Sequence, residues 1–117
     1  MTGMTMDVDE VNGGAIFHLG GRVMFESDSV AFRQKLEQVL EQGKRWIVLD
    51  LSRVIAMSST GLGILIAAHR ALTDRGGCFR LAQLSEKVRS ILETTRLDSV
   101  FEIFANVDSA IEANKLG

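Results

Sequence analysis

The pattern of apolar and polar positions opens with two short runs that are typical of β-strands. The runs cover residues 5–11 and 15–20. Asn12, Gly13 and Gly14 separate the two runs, and this composition is typical of a tight turn between antiparallel strands. We therefore predict an opening β-hairpin.

A helical period follows over residues 27–42. Ser27 or Ser29 is placed to cap this helix at its N-terminus, and Gly43 is placed to end it. The apolar side chains on its buried face are Phe32, Leu36, Val39 and Leu40.

The middle of the chain predicts a covered strand, a short loop and an apolar helix. Residues 46–51 are nearly all apolar, as in a strand packed on both faces. The helix begins near residues 58–60 and ends before Gly76 and Gly77. Its predicted buried face contains Leu62, Leu65, Ile66, His69 and Leu72.

The last third of the chain repeats the strand–helix alternation. Strands are predicted over residues 78–82 and 100–104. Ser85 caps a helix carrying Val88, Ile91 and Leu92, and Asn106 or Asp108 caps a final helix that ends near residue 114. The order β-β-α-β-α-β-α-β-α predicts an α/β fold: a mixed sheet of four to five strands with about four helices packed on it. We expect residues 1–117 to form a single domain.

Composition restricts the classes of function. With 117 residues, 46% of them apolar and 24% charged, the chain can bury one core. A net charge of −2 gives no electrostatic reason to expect nucleic acid or an anionic membrane as a partner. The first residues lack the features of a signal peptide, and the longest apolar stretch, residues 62–68, is too short to span a bilayer. We expect a cytoplasmic protein.

Few residues are available for catalysis or for a cofactor. His18 and His69 lie in different predicted elements and lack metal-site spacing. Gly61 and Gly63 lack the remaining residues of a dinucleotide loop or a P-loop. Asp and Glu residues are scattered over faces that we predict to be exposed, and the single cysteine, Cys78, can form no internal disulfide. We expect no metal, no cofactor and no enzymatic activity.

Three consecutive hydroxyl residues, Ser58, Ser59 and Thr60, begin the apolar helix. Their simplest role is to cap its free backbone N–H groups. A phosphate on one of these hydroxyls would also be tolerated there, because a helix N-terminus favours negative charge. Gly61 and Gly63 are expected to leave the first turn bare, so that another protein can approach it.

The same segment resembles a known family. Leu19-Gly-Gly-Arg-Val23, the strand Ile47-Val-Leu-Asp-Leu-Ser-Arg-Val54 and the motif Ser59-Thr-Gly-Leu-Gly63 are similar to those of STAS domains, specifically anti-sigma factor antagonists of the partner-switching type. Further matches are Gly76-Gly-Cys-Phe-Arg-Leu81 and the apolar pattern from Val88 to Phe101.

This resemblance implies a protein that binds partners and that uses no cofactor of its own. Ser59 corresponds to the serine that is phosphorylated by a kinase doubling as the anti-sigma factor, and a serine phosphatase removes the phosphate. The unphosphorylated antagonist sequesters the anti-sigma factor. We expect a monomer or weak dimer. The expected contact residues are Arg22, Met24, Ser58, Thr60, Gly61, Leu62 and Gly63.

Two segments depart from the family pattern. Ser58 stands where the family usually has an aspartate, and Gly21-Arg22-Val23-Met24 replaces a Gly-Glu-Leu-Asp pattern. Either the partner has diverged to match, or the switch does not use a standard kinase. Two other functions therefore stay open: an accessory subunit of a transporter or lipid-transfer system, and an unphosphorylated scaffold in a sensory assembly.

Overall fold

The computed structural model describes the backbone of residues 3–116 and the side chains of residues 3–113. The strands are β1 Met4–Val11, β2 Gly14–Val23, β3 Trp46–Met57, β4 Cys78–Ala82 and β5 Glu102–Phe104. The helices are α1 Glu26–Glu41, α2 Ser59–Asp74, α3 Glu86–Thr94 and α4 Val107–Leu116, with a 3₁₀ turn at Leu97–Ser99. The predicted order of elements is confirmed.

All five strands form one mixed sheet, in which their spatial order is their order in the chain. β1 pairs antiparallel with β2 through the predicted hairpin, whose turn places Gly13 at a φ of +85°. The pairs β2–β3, β3–β4 and β4–β5 are parallel, so a crossover joins the strands of each pair. In a parallel sheet the strands end at one edge, and the loops there come close together.

The core lies on both faces of the sheet. Side chains of β2 alternate between faces: Phe17 and Leu19 belong to the larger apolar cluster, which receives side chains from α1, α2 and α3. Ile16 points to the other face, where it packs with Val48, Ala82 and Ala110 of α4. No helix in the described part of the chain is long and apolar enough to cross a membrane.

The predicted cap of α1 is wrong. Neither Ser27 nor Ser29 caps this helix. Asp28, in its first turn, reaches back, and its Oδ2 accepts hydrogen bonds from the backbone N–H groups of Met24 at 3.2 Å and Phe25 at 3.0 Å. Its Oδ1 accepts a third from Met4 N at 3.2 Å. A carboxylate at the third helical position reaches these donors, as in a capping box.

Two strand boundaries also differ from the prediction. β3 does not end in a loop after Leu51 but continues to Met57, because the second half of β2 pairs with it up to the contact of Val23 with Met57. β5 is shorter than residues 100–104: the 3₁₀ turn precedes it, and the strand begins at Glu102.

The buried face of α2 is rotated from its predicted position. Leu65 and Leu72 are buried as predicted, and Leu62 and His69 are partly buried. Ile66, predicted to be buried, is 39% exposed. Ile64 and Ala68 are buried instead, as is Gly61. The ends of α1 at Gly43 and of α2 before Gly76 agree with the prediction, as do the caps Ser85 and Asn106.

Candidate functional site

Ser58 connects the start of α2 to the end of β2. Its backbone is extended, with φ −102° and ψ −175°, and its Oγ accepts a hydrogen bond from Thr60 N at 3.2 Å. The same hydroxyl donates to Met24 O at 3.3 Å, while Ser58 N donates to Val23 O at 3.2 Å. Ser58 is therefore the capping residue among the three hydroxyl residues.

Ser59 is the first residue of α2 and is exposed. Among the described residues, none forms a hydrogen bond with its hydroxyl. The first turn of the helix carries no acidic side chain, so a negative group at Ser59 would meet no like charge from its own helix. The predicted position of Ser59, at the N-terminal end of a helix running to Asp74, is confirmed.

The two glycines of the motif have different environments. A Cβ at Gly61 would lie 2.5 Å from Val23 O and from Met57 Cγ, so this position faces inward and is glycine because the end of β2 packs against it. The expectation that Gly61 leaves the surface of the helix bare is wrong. Gly63 is exposed, and a Cβ there would meet open space.

The loop between β2 and α1, which Ser58 contacts at Met24 O, presents two exposed apolar side chains, Met24 at 37% and Phe25 at 47% exposure. Asp28 holds both of their backbone N–H groups. Sequence reasoning missed Phe25 and Asp28. Asp28 follows the N-cap residue Phe25 by three positions, and an acid at this position is a capping signal.

Arg22 is exposed on β2, where it is paired with Ala56 of β3, two residues before Ser58. We call the group formed by Arg22, Met24, Phe25, Ser59 and Gly63 the Ser59 surface. Thr60 and Leu62 are partly buried, and Leu62 packs against the core.

A groove of about 520 Å³ continues the Ser59 surface along α2. It begins at Gly63 and is lined by Ile66, Ala67 and Arg70, among others. The rotation of α2 that exposes Ile66 therefore places an apolar side chain beside Gly63. Among side chains 3–113, no three His, Cys, Asp or Glu residues come together as ligands for a metal ion.

The Ser59 surface thus combines a serine hydroxyl that is accessible from solvent with the exposed apolar side chains Met24 and Phe25. The hydroxyl lies where backbone N–H groups at the start of a helix favour an anion. No base or acid forms a hydrogen bond with this hydroxyl within the described residues.

Comparisons with known proteins agree on one family. The family model described as STAS domain matches residues 5–110. The anti-sigma-B factor antagonist of Listeria monocytogenes is 37% identical over 84 residues, which cover 68% of this chain and 73% of that protein. The anti-sigma-B factor antagonist of Bacillus subtilis is 27% identical over 109 residues, which cover 93% and 98%.

Among solved structures, that of the anti-sigma factor antagonist SpoIIAA in its unphosphorylated form is similar with a TM-score of 0.81. It covers 95% of this chain and 96% of its own, at 21% sequence identity, a likeness that shows the fold. The mixed five-stranded sheet and its four helices match that fold. With a family model that spans most of its length, this chain belongs to the STAS domain family.

Proposed function

We propose that this chain is an anti-sigma factor antagonist regulated by phosphorylation of Ser59. In the unphosphorylated state it binds an anti-sigma factor that is also a serine kinase, and phosphorylation releases it. The observation that carries the proposal is the exposed Ser59 hydroxyl at the start of α2, beside an apolar contact area. The relatives named anti-sigma-B factor antagonists support it, as does a similar fold solved in a form called unphosphorylated.

A phosphate on Ser59 is compatible with the folded state. Ser58 already performs the capping, so the Ser59 hydroxyl can be modified without breaking a hydrogen bond of the cap. The phosphate adds a charge of about −2 and three acceptor oxygens. The helix dipole and the free N–H groups of the first turn favour this charge.

The same charge opposes binding of the partner. A protein that docks on the Ser59 surface covers the exposed serine hydroxyl. Phosphorylation then forces a dianion into an interface built for a neutral group, and its desolvation is unfavourable. A hundredfold loss of affinity corresponds to only about 2.7 kcal/mol. Mispaired interfacial charges cost amounts of this size.

This function assigns no catalysis and no cofactor to the chain itself. The phosphoryl chemistry belongs to the partners: the kinase that is also the anti-sigma factor, and a serine phosphatase that resets the switch. Such a protein works in the cytoplasm, where sigma factors act. It is a single domain that binds its partners as a monomer or weak dimer.

The proposal is tested with the kinase recovered by using the wild-type protein as bait. Calorimetry compares its affinity for wild type, Ser59→Ala, Ser59→Asp and enzymatically phosphorylated protein, with Ser90→Asp, at an exposed serine of α3, as the matched control. We expect Ser59→Ala and Ser90→Asp to bind like wild type. Phosphorylation should lower the affinity about a hundredfold or more, and Ser59→Asp, with less charge, should lower it by less.

Equal binding by all of these proteins, with melting curves that show them folded, would exclude Ser59 as the switch. Phosphate incorporated by the kinase into Ser59→Ala would transfer the assignment to another hydroxyl.

A further inference from the structure

A second polar cluster joins three strands at a distance from the sequence motif. His18, in the middle of β2, has both ring nitrogens against carboxylates. Nδ1 lies 2.7 Å from Asp50 Oδ2 of β3, and Nε2 lies 3.1 Å from Asp9 Oδ2 of β1. These side chains line a cleft of about 380 Å³ on the sheet.

The two contacts together require a charged histidine. A neutral imidazole has one N–H donor and one nitrogen that only accepts. Ionised carboxylates only accept, so a neutral His18 can donate to Asp9 or to Asp50 but not to both. The observed geometry is satisfied by the imidazolium, which donates from both nitrogens.

The two carboxylates are held very differently. The Asp50 side chain is 12% exposed, and its Oδ1 also accepts hydrogen bonds from Ser52 N at 3.0 Å and Gln83 Nε2 at 3.1 Å. The Asp9 side chain is 68% exposed on the edge strand β1. Water can replace His18 as a partner of Asp9 much more easily than it can reach Asp50.

The fixed side of the cluster extends to α4. Gln83 has a φ of +56°, a backbone conformation that residues other than glycine rarely adopt. Its amide nitrogen bonds Asp50, while its amide oxygen accepts from Val107 N, the first residue of α4, at 3.3 Å. A residue kept in such a conformation indicates that its surroundings determine it closely.

We propose that His18 is a proton-gated lock between the edge strand β1 and the centre of the sheet. The protonated ring joins Asp9 to Asp50. When the ring loses its proton, it keeps Asp50 and releases Asp9, so that β1 is held by its ladder with β2 and by its other contacts. This device is separate from the Ser59 surface and does not depend on the function proposed for it.

The charges around the ring favour the locked state. Burial acts to lower the pKa of His18, but the hydrogen bonds to Asp50 and Asp9, together with the charges of both, outweigh it and raise the pKa above the ordinary value of 6.5. Asp7 of β1, opposite His18 in register, adds a third negative charge, while Arg53 of β3, which also lines the cleft, opposes the proton.

The sign of the pH dependence follows. Because the pKa of His18 is raised in the folded state, its stabilising contribution is complete below about pH 6.5 and is lost as the pH rises through the folded pKa. The pKa of Asp50 is lowered: burial acts to raise it, but the hydrogen bonds from His18 and Ser52 and the charge of His18 outweigh this. Asp50 therefore stays ionised across the range in which His18 titrates.

The test is an NMR titration of the full chain, following the His18 ring carbons and the side-chain carboxyl carbons of Asp9 and Asp50. In wild type, His18 should titrate above the ordinary histidine midpoint of 6.5. Over the same pH range, the Asp9 carboxyl signal should move toward that of a solvated carboxylate, while the Asp50 signal changes less.

Asp9→Asn and Asp7→Asn are the matched pair, since both remove one negative charge from the same face of β1. Asp9→Asn should lower the His18 midpoint by more than Asp7→Asn does, because only Asp9 bonds the ring. In urea denaturation, the free energy of unfolding of Asp9→Asn should also fall less than that of wild type between about pH 6 and 9. The lock is ruled out by a wild-type midpoint at or below 6.5, by equal shifts in the two variants, or by an Asp50 signal that moves more than that of Asp9.

Discussion

At the scale of single residues, neighbouring hydroxyl residues that look equivalent in the sequence have different roles in the structure. Ser58, Ser59 and Thr60 are all able to cap a helix, and their position at the start of α2 was predicted correctly. Which hydroxyl caps depends on the backbone: only Ser58 lies before the helix in extended conformation, where its Oγ reaches Thr60 N. The sequence alone does not make this distinction, because a helix that began one residue later would make Ser59 the cap.

The division predicts different stabilities for two adjacent serine-to-alanine changes. Ser58→Ala removes the cap and the bond to Met24 O, and should lower the free energy of unfolding by about 0.5–2 kcal/mol. Ser59→Ala removes an exposed hydroxyl and should change it by less than about 0.5 kcal/mol. Urea denaturation of both variants measures the difference, and a larger loss for Ser59→Ala would contradict the assignment of the cap.

Sequence reasoning missed the contact between His18 and Asp50, whose positions are far apart in the chain. His18 and Asp50 are 32 positions apart and meet only because β2 and β3 pair in parallel with these two residues in register. The statement that acidic residues lie on exposed faces is wrong for Asp50 and for Asp28, which is 7% exposed. Both residues carry local signals, since Asp50 lies in the apolar run of residues 46–51 and Asp28 lies in the first turn of α1. The sequence does not show the distant donors, Gln83 Nε2 for Asp50 and Met4 N for Asp28.

At the scale of elements, hydrophobic periodicity predicted which segments are helices and strands better than it predicted where they face. α2 is apolar around much of its circumference, so several stripes fit its sequence, and small residues such as Gly61 and Ala68 decided the orientation. These small residues allow α2 to pack closely on the sheet. The contacts of Gly61 show this close packing, but the identity of the residue alone does not predict it. Similarly, the polar residues Ser52 and Arg53 interrupt the apolar run, so the sequence pattern did not predict that β3 continues to Met57.

The orientation of α2 is tested by truncating two consecutive apolar residues. Leu65 is fully buried, so Leu65→Ala should lower the free energy of unfolding by about 2–5 kcal/mol. Ile66 is 39% exposed and lines the groove, so Ile66→Ala should cost less than about 1.5 kcal/mol. Chemical denaturation of both variants, with circular dichroism to verify the fold, gives the comparison. Equal losses would mean that α2 is rotated toward the face predicted from its sequence.

At the scale of the whole molecule, a net charge of −2 does not specify the charge of any one surface. The Ser59 surface carries the exposed cation Arg22 and the apolar side chains Met24 and Phe25. Acids are the residues usually found in the family at Met24 and at Ser58. The fold follows from the family pattern, and we expect the choice of partner to depend on these departures. A surface with this charge fits a partner whose contact area is acidic or weakly basic.

Reversing the charge of the Ser59 surface should therefore weaken binding to the native partner. Arg22→Glu combined with Met24→Asp changes the local charge by about three units, each worth about 1 kcal/mol at contact distance in water. Both positions are exposed, and Ser58 is left intact because it caps α2. We expect an affinity about 10- to 100-fold lower at low salt, with most of the difference lost near 1 M salt because exposed charges are then screened.

The matched control is Arg45→Glu, which changes an exposed arginine just before β3, at the opposite end of that strand from Ser58. It also alters the net charge of the chain, but it should leave the affinity nearly unchanged, since it lies far beyond the range of screened interactions from the Ser59 surface. Calorimetric titrations of the partner at several salt concentrations measure all three proteins. If the charge-reversed variant binds as tightly as wild type, or more tightly, the partner does not recognise the charge of Arg22. In that case the apolar side chains Met24 and Phe25 and the groove beyond Gly63 must account for partner choice.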